Sequence, residues 1–250
     1  MKILNSKYKK WNIYYPKNEN EIIDLGKSII DNNYFVEKVL KEGKRNYVAI
    51  ISIDDKKYIL KEFRSEIIIP QRKIQTYFKK GEALTTLENG LESIEQGIFE
   101  LAKPITAIVK KEKTIEKSYL LMEYLLGRVL KTNEDVDEVI EIIKKVHKIN
   151  RYHGDLNTSN FIKTDDGIKI LDTQMKKEKF FSFKKYYDIL TLKEDLLVIS
   201  LDYDVESNYK MKKQTLSFLF AFLLKKLKKL KIINIIRKLK KDLREKGWKI

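Results

Sequence analysis

The sequence predicts an α+β chain, with an antiparallel, β-rich first half, a mostly helical second half and a cleft between two lobes. Three observations carry this expectation. Short runs rich in β-branched and aromatic residues crowd positions 34–63 and 105–125. From Glu134 onward the apolar residues recur at helical spacing. The only three prolines, at 16, 70 and 104, all lie in the first half, and no internal repeat or low-complexity linker divides the chain.

Ile22, Ile23, Leu25, Ile29 and Ile30 fall at helical spacing between Glu19 and Asp31, and "DNN" closes that helix. Three strands follow, "YFVEKVL", "NYVAIISI" and "KYILKEF", separated by "KEGKR" and by Asp54 and Asp55, which together read as an antiparallel meander. Residues 71–96 carry Ile74, Phe78, Leu84, Leu87, Leu91 and Ile94 and are expected to form one helix ending near Gly97. Two further strands, "ITAIVKK" and "SYLLMEYL", complete the β-rich half, and Gly127 marks a break. Val136, Val139, Ile140, Ile143 and Val146 then define a helix, followed by a small hairpin from "NFIKT" and "IKILDTQ", and by more helix.

At 250 residues and 43% hydrophobic content, the chain can bury one large core or two small lobes. It has no cysteine and only two histidines, which excludes a disulfide framework and a zinc site of ordinary ligand spacing. No export signal and no run of about 18 apolar residues is present, so a cytoplasmic protein is expected. The net charge of +16 is concentrated at one end, because residues 210–250 hold fifteen Lys or Arg against only Asp242 and Glu245.

Residues 152–161 read "YHGDLNTSNF". Alone, Gly154 and Asp155 fit a surface turn. Phosphoryl transfer gives the stretch a chemical reading, because it needs a base for the acceptor hydroxyl, oxygen ligands for magnesium and a cation on the phosphates. Asp155 would orient the hydroxyl and take its proton. Asn160, five residues on, and Asp172, closing the strand "IKILD", would hold Mg2+. Lys61, ending the third strand in "YILK", would reach the α- and β-phosphates of ATP. His153 is expected to pack the loop, and His147 to be an ordinary buried side chain.

In this order the motifs resemble the protein-kinase fold. "YILK" is similar to the strand-three lysine motif, "LLMEYLLG" to the gatekeeper and hinge, and "HGDLNTSN" to the catalytic loop in its Gly-for-Arg form. The resemblance implies a protein-kinase-like bilobal fold: an antiparallel β-sheet N-lobe with one main helix at 1–122, a hinge at 123–127, and a mostly helical C-lobe at 128–250. It implies that backbone groups of Glu123 and Leu125 pair with adenine beside Met122, with Ile59 and Ile162 covering its two faces. It also implies a helix carboxylate for Lys61, here Glu82 with Glu88 as the alternative, and a bracing role for Asp195 behind the loop. Two departures stand out. The glycine-rich loop is missing, so Lys44 or Arg45 would approach the phosphates, and the usual D-F-G reads Asp172-Thr-Gln, which argues against a regulated protein kinase.

"IPQRKIQTYFKKGEALTTL", "HGDLNTSNF" and "ILDTQ" together resemble the lipopolysaccharide core heptose(II) kinases of the RfaY/WaaY type, with a likeness running from about Val36 to Asp195. This implies ATP-dependent phosphorylation of a heptose hydroxyl on a lipid A-linked glycolipid, at the cytoplasmic face of the inner membrane. The nine apolar residues Leu216 to Leu224 are too short to span a bilayer and are expected to pack within the helical lobe. The basic amphipathic segment 225–250 is either a solvated face or a peripheral contact with anionic membrane, where each basic residue contributes about 1 kcal/mol. Nucleic acid is not expected, because Tyr and Phe are sparse in this segment. Two alternatives remain. One is a soluble aminoglycoside- or choline-type phosphotransferase, and the other a non-catalytic kinase relative that binds anionic membrane or nucleic acid.

Overall fold

The computed structural model describes residues 2–17, 19, 21–179 and 182–229. Most of the basic segment, from 230 on, therefore lies outside the described residues. The chain divides into two compact units, one formed by Met1–Val129 with Ile162–Met175, the other by Leu130–Phe161 with Lys176 onward.

The first unit contains β1 (Ile3–Tyr8), β2 (Trp11–Pro16), α1 (Ile22–Ile30), β3 (Phe35–Glu42), β4 (Tyr47–Ile53), β5 (Lys56–Glu62), α2 (Ser65–Ile68), α3 (Pro70–Phe78), α4 (Glu82–Glu95), β6 (Pro104–Lys111) and β7 (Ile115–Glu123). Its seven strands form one antiparallel sheet in the order β1-β2-β6-β7-β5-β4-β3. The meander β3–β4–β5 is the one expected. Asp54 and Asp55 both take positive φ in its second turn, the geometry that matches strand twist. The hairpin β1–β2 extends the sheet beyond the predicted strands. At the opposite edge every residue of β3 is exposed, and two register shifts flank Lys38 and Lys41, features that blunt an open edge.

Strand alternation divides the core in two. Leu120 and Met122 of β7 join Ala107 and Val109 of β6 under α4, which contributes Ala83, Leu84, Leu87 and Leu91. Tyr119 and Leu121 face the other side, with Ala49, Ile51, Leu60, Ile108 and Ile29 of α1. The single helix expected over 71–96 is instead two helices, α3 and α4. They part at Gly81, whose φ of +91° is open to glycine, and where a Cβ would meet Ile115 Cδ1 at 2.3 Å. Pro70 starts α3 at a position where no backbone donor is needed. Ile74 and Phe78 of α3 are exposed, whereas Leu84, Leu87 and Leu91 of α4 are buried.

The second unit begins with α5 (Asn133–Lys148) and β8 (Arg151–Tyr152). The hairpin β9 (Phe161–Thr164) and β10 (Gly167–Ile170) follows, and from Ile162 it belongs to the sheet unit, where Ala102 donates its N–H to the Ile170 carbonyl at 2.9 Å. The chain continues through β11 (Lys176–Lys177), α6 (Phe183–Leu192), α7 (Leu196–Ser200), α8 (Val205–Tyr209) and α9 (Leu216–Lys229). A reciprocal cap starts α5. Thr132 Oγ accepts the Asp135 N–H and the Asp135 carboxylate accepts the Thr132 N–H, each at 3.3 Å.

The apolar run 216–224 is mostly not buried as expected, with Ala221 its one buried residue among the described residues. Phe220 meets the Phe183 ring edge-on at 5.0 Å, and Lys225 donates to the Leu190 carbonyl and pairs with Glu194 at 2.8 Å. Leu216, Leu219, Phe220, Phe222 and Leu223 remain exposed. Among the described residues no helix is long and apolar enough to cross a membrane.

Candidate functional site

The loop 152–161 is held from behind by α6. Asp188, only 1% exposed, accepts the backbone N–H of His153 at 2.6 Å and of Gly154 at 2.9 Å. A buried carboxylate needs such partners, and these two N–H groups need such an acceptor. Gly154 takes φ +92°, a conformation that strains any side-chain-bearing residue, so glycine fits where the kinase motif usually has arginine. The His153 ring stacks on Phe161 with centroids 5.5 Å apart, and its Nδ1 accepts the Asp155 N–H at 3.4 Å. His153 thus packs the loop, as the sequence led us to expect.

These anchors leave Asp155 exposed while its neighbours are fixed. Its Oδ1 accepts from Asn157 Nδ2 at 2.8 Å, and its carbonyl accepts from Asn160 Nδ2 at 2.7 Å. The five-residue step between Asp155 and Asn160 is therefore closed by a direct hydrogen bond. Asp195 reaches the same loop at another point, accepting from the Thr158 N–H at 3.0 Å and its hydroxyl at 2.8 Å while also capping α7. The brace behind His153 and Gly154 is Asp188, and Asp195 anchors Thr158. Sequence reasoning overlooked Asp188. Its signal was an aspartate in the otherwise apolar stretch "DILTL".

In the sheet unit Lys61 stands between Val48 and Leu120 in the strand register, its side chain 14% exposed. Its Nζ is paired with Asp172 Oδ1, and Asp172 is more open, at 57%. The segment after Asp172 is tied down by Asn89 of α4, whose Nδ2 donates to the Gln174 carbonyl at 2.9 Å. The carboxylate that meets Lys61 is thus Asp172 and not Glu82. Glu82, the first residue of α4, is reached instead by Arg72 of α3 at 2.8 Å, and Glu88 pairs with Lys80 at 2.7 Å. Arg72 and Glu82 thus meet across the break at Gly81.

Ile59 and Met122 are register partners on neighbouring strands, and Ile59 and Leu125 pack against the same core cluster as Leu171. Glu123 is engaged in the sheet, donating its N–H to the Lys103 carbonyl at 3.0 Å and accepting the Lys103 N–H on its carboxylate at 2.5 Å. Ile162 is half-buried in β9, and Lys44 is exposed in the turn between β3 and β4.

Glu66 of α2 is a buried acid that the sequence did not single out. Its carboxylate accepts the Glu82 N–H at 2.7 Å and the Ser118 hydroxyl at 3.4 Å. Burial pushes its pKa up to about 7, although the Glu82 N–H, the Ser118 hydroxyl and Arg72 favour the ionised form.

Among the described residues no cluster of three His, Cys, Asp or Glu side chains could hold a metal unaided. Magnesium is commonly held by one or two carboxylate or amide oxygens together with substrate phosphates and water, and each unit, taken by itself, offers one such group. Asp172 is accessible, and the Asn160 amide spends its nitrogen on the Asp155 carbonyl, which leaves its oxygen for a cation.

Comparison with known proteins identifies the family. The family described as lipopolysaccharide core biosynthesis protein (WaaY) matches residues 2–241. The lipopolysaccharide core heptose(II) kinase WaaY of Escherichia coli is 23% identical over 177 residues, covering 68% of this chain and 76% of that protein. With the match extending over nearly its whole length, this chain belongs to the WaaY family of lipopolysaccharide core biosynthesis proteins.

Proposed function

We propose that this protein transfers the γ-phosphoryl group of ATP to a heptose hydroxyl of the lipopolysaccharide core. The observation that carries the reading is the braced loop: a carboxylate left exposed while Asp188, Asp195 and Phe161 fix the backbone around it. Asp155 would orient the hydroxyl and accept its proton as the new P–O bond forms and the bond to the β-phosphate breaks. Lys61 would move from Asp172 to the α- and β-phosphates. Asp172 and Asn160 would hold Mg2+, which neutralises charge on the phosphates. Ile59, Met122, Leu125 and Ile162 would enclose adenine, and backbone groups of Glu123 and Leu125 would pair with it.

The kinase name of the E. coli relative supports the reaction class, and the WaaY family supports the acceptor class. The cationic end of the chain supports a peripheral site of action at the cytoplasmic face of the inner membrane, where an anionic glycolipid acceptor is anchored. Phosphate transfer from labelled ATP to purified lipopolysaccharide core tests the proposal. Transfer that requires Mg2+ and disappears in Asp155→Asn is expected. Transfer that survives this substitution undiminished overturns the assignment of the base.

A further inference from the structure

The helical unit carries a cavity of about 360 Å³ lined by five lysines, Lys144, Lys148, Lys185, Lys210 and Lys212, with no acidic residue in its wall among the described residues. They come from three places in the chain, the end of α5, the start of α6 and the segment after α8. Lys144 has a carboxylate partner, Glu141 at 2.7 Å. Among the described residues no carboxylate pairs with Lys148, Lys210 or Lys212. Burial holds the Lys185 ammonium below the ordinary lysine value, against the upward pull of Glu178. Lys210 also occupies the left-handed position that closes α8, at φ +59°, where glycine is the usual residue.

Like charges gathered around a concave space repel one another, and a multiply charged anion relieves that repulsion. The wall suits phosphate oxygens. Lysines present ammonium donors, and Tyr209, whose hydroxyl stays protonated with a pKa pushed up to about 12 by burial, adds a neutral hydrogen-bonding group. The Tyr209 hydroxyl lies 2.7 Å from His147 Nδ1, and His147 Nε2 is 3.5 Å from Asp188, the residue that holds the His153 and Gly154 N–H groups. The cavity floor therefore shares a polar network with the loop that presents Asp155.

We propose that this cavity is a binding site for a phosphoryl anion, a phosphomonoester or diphosphate group, separate from the groups assigned to ATP. The ligand's source is either a lipid headgroup or a phosphate that is free or borne on a sugar.

Calorimetric titration of the full chain with inorganic pyrophosphate, without magnesium, tests this. The wild type and Lys61→Met should bind it equally, because Lys61 is not part of the cavity. The triple variant Lys148→Gln, Lys210→Gln, Lys212→Gln should bind about tenfold or more weakly, with binding in the wild type falling as salt rises. Single Lys212→Gln, at an exposed position, should give a smaller loss in the same direction and keeps the test decisive should the triple variant fold poorly. Phosphatidic acid in phosphatidylcholine vesicles distinguishes the sources. Displacement of pyrophosphate by the vesicles assigns the site to a headgroup, and lack of displacement assigns it to a free or sugar-borne phosphate. Pyrophosphate affinity unchanged by both lysine variants, no detectable wild-type binding, or binding lost in Lys61→Met alone would overturn the proposal.

Discussion

The loop around Asp155 and the Lys61–Asp172 pair are built by opposite means. In the loop the proposed catalytic carboxylate, Asp155, is exposed, while the backbone is held by the buried Asp188 at 2.6 and 2.9 Å and by the half-buried Asp195 at 3.0 Å. In the sheet unit Lys61 sits on an ordinary strand, and its charge engages Asp172 directly. Hydrogen bonds to a buried charge are expensive to break, whereas an ion pair with one exposed partner contributes roughly 0–1 kcal/mol. The difference implies a division of labour. On the proposed function, the loop would be set before substrate arrives, and the ion pair would exchange its partner for a phosphate and a cation.

Substitutions can break this contrast. The largest effect is expected from Asp155→Asn, which should lower phosphate transfer by about 10³-fold or more, with thermal stability unchanged because the side chain is exposed. Lys61→Met should lower transfer by about 10²-fold while the melting temperature stays within error, since an ion pair with one exposed partner adds little stability. A large drop in melting temperature would show that the pair is structural.

Asp188→Asn should do the reverse, removing on the order of 2 kcal/mol of stability, read from the denaturant midpoint, because the buried His153 N–H and the part-buried Gly154 N–H lose a charged acceptor. Turnover should fall by a smaller factor than in Asp155→Asn.

The smallest effect is expected at Glu66, and it sharpens the picture of α4. Its folded-state pKa is raised, to about 7, so the folded chain holds this proton more tightly than the unfolded chain. The resulting stability is fully present below the ordinary glutamate range and is lost as pH rises through about 7. Glu66→Gln, still able to accept the Glu82 N–H, should flatten the dependence of the urea midpoint on pH over this interval.

Legibility in the sequence followed the range of the interactions. The meander, α1 and α5 could be read because β-branched runs and 3.6-residue spacing are local signals, and the residues of the loop because their types and spacing lie within one decapeptide. The break at Gly81 was hidden because Ile74 and Phe78 kept an apolar rhythm across it, although both are exposed. The hairpin β1–β2 was hidden by its polar outer positions, such as Asn5, Lys7 and Asn12, which dilute the alternation. Asp188 was hidden because its partners lie 34 and 35 residues away, so no local pattern marks it as a brace. The same holds for Glu66, whose partners are 16 and 52 residues distant.

The central claim is that the exposed carboxylate at the tip of a fixed loop places one phosphate on the lipopolysaccharide core. Mass spectrometry of that core tests it most directly, in cells that contain the protein, cells that lack it, and cells that carry only Asp155→Asn. The account predicts one phosphate fewer in both the deficient and the Asp155→Asn cells. A core of identical mass in all three would contradict it.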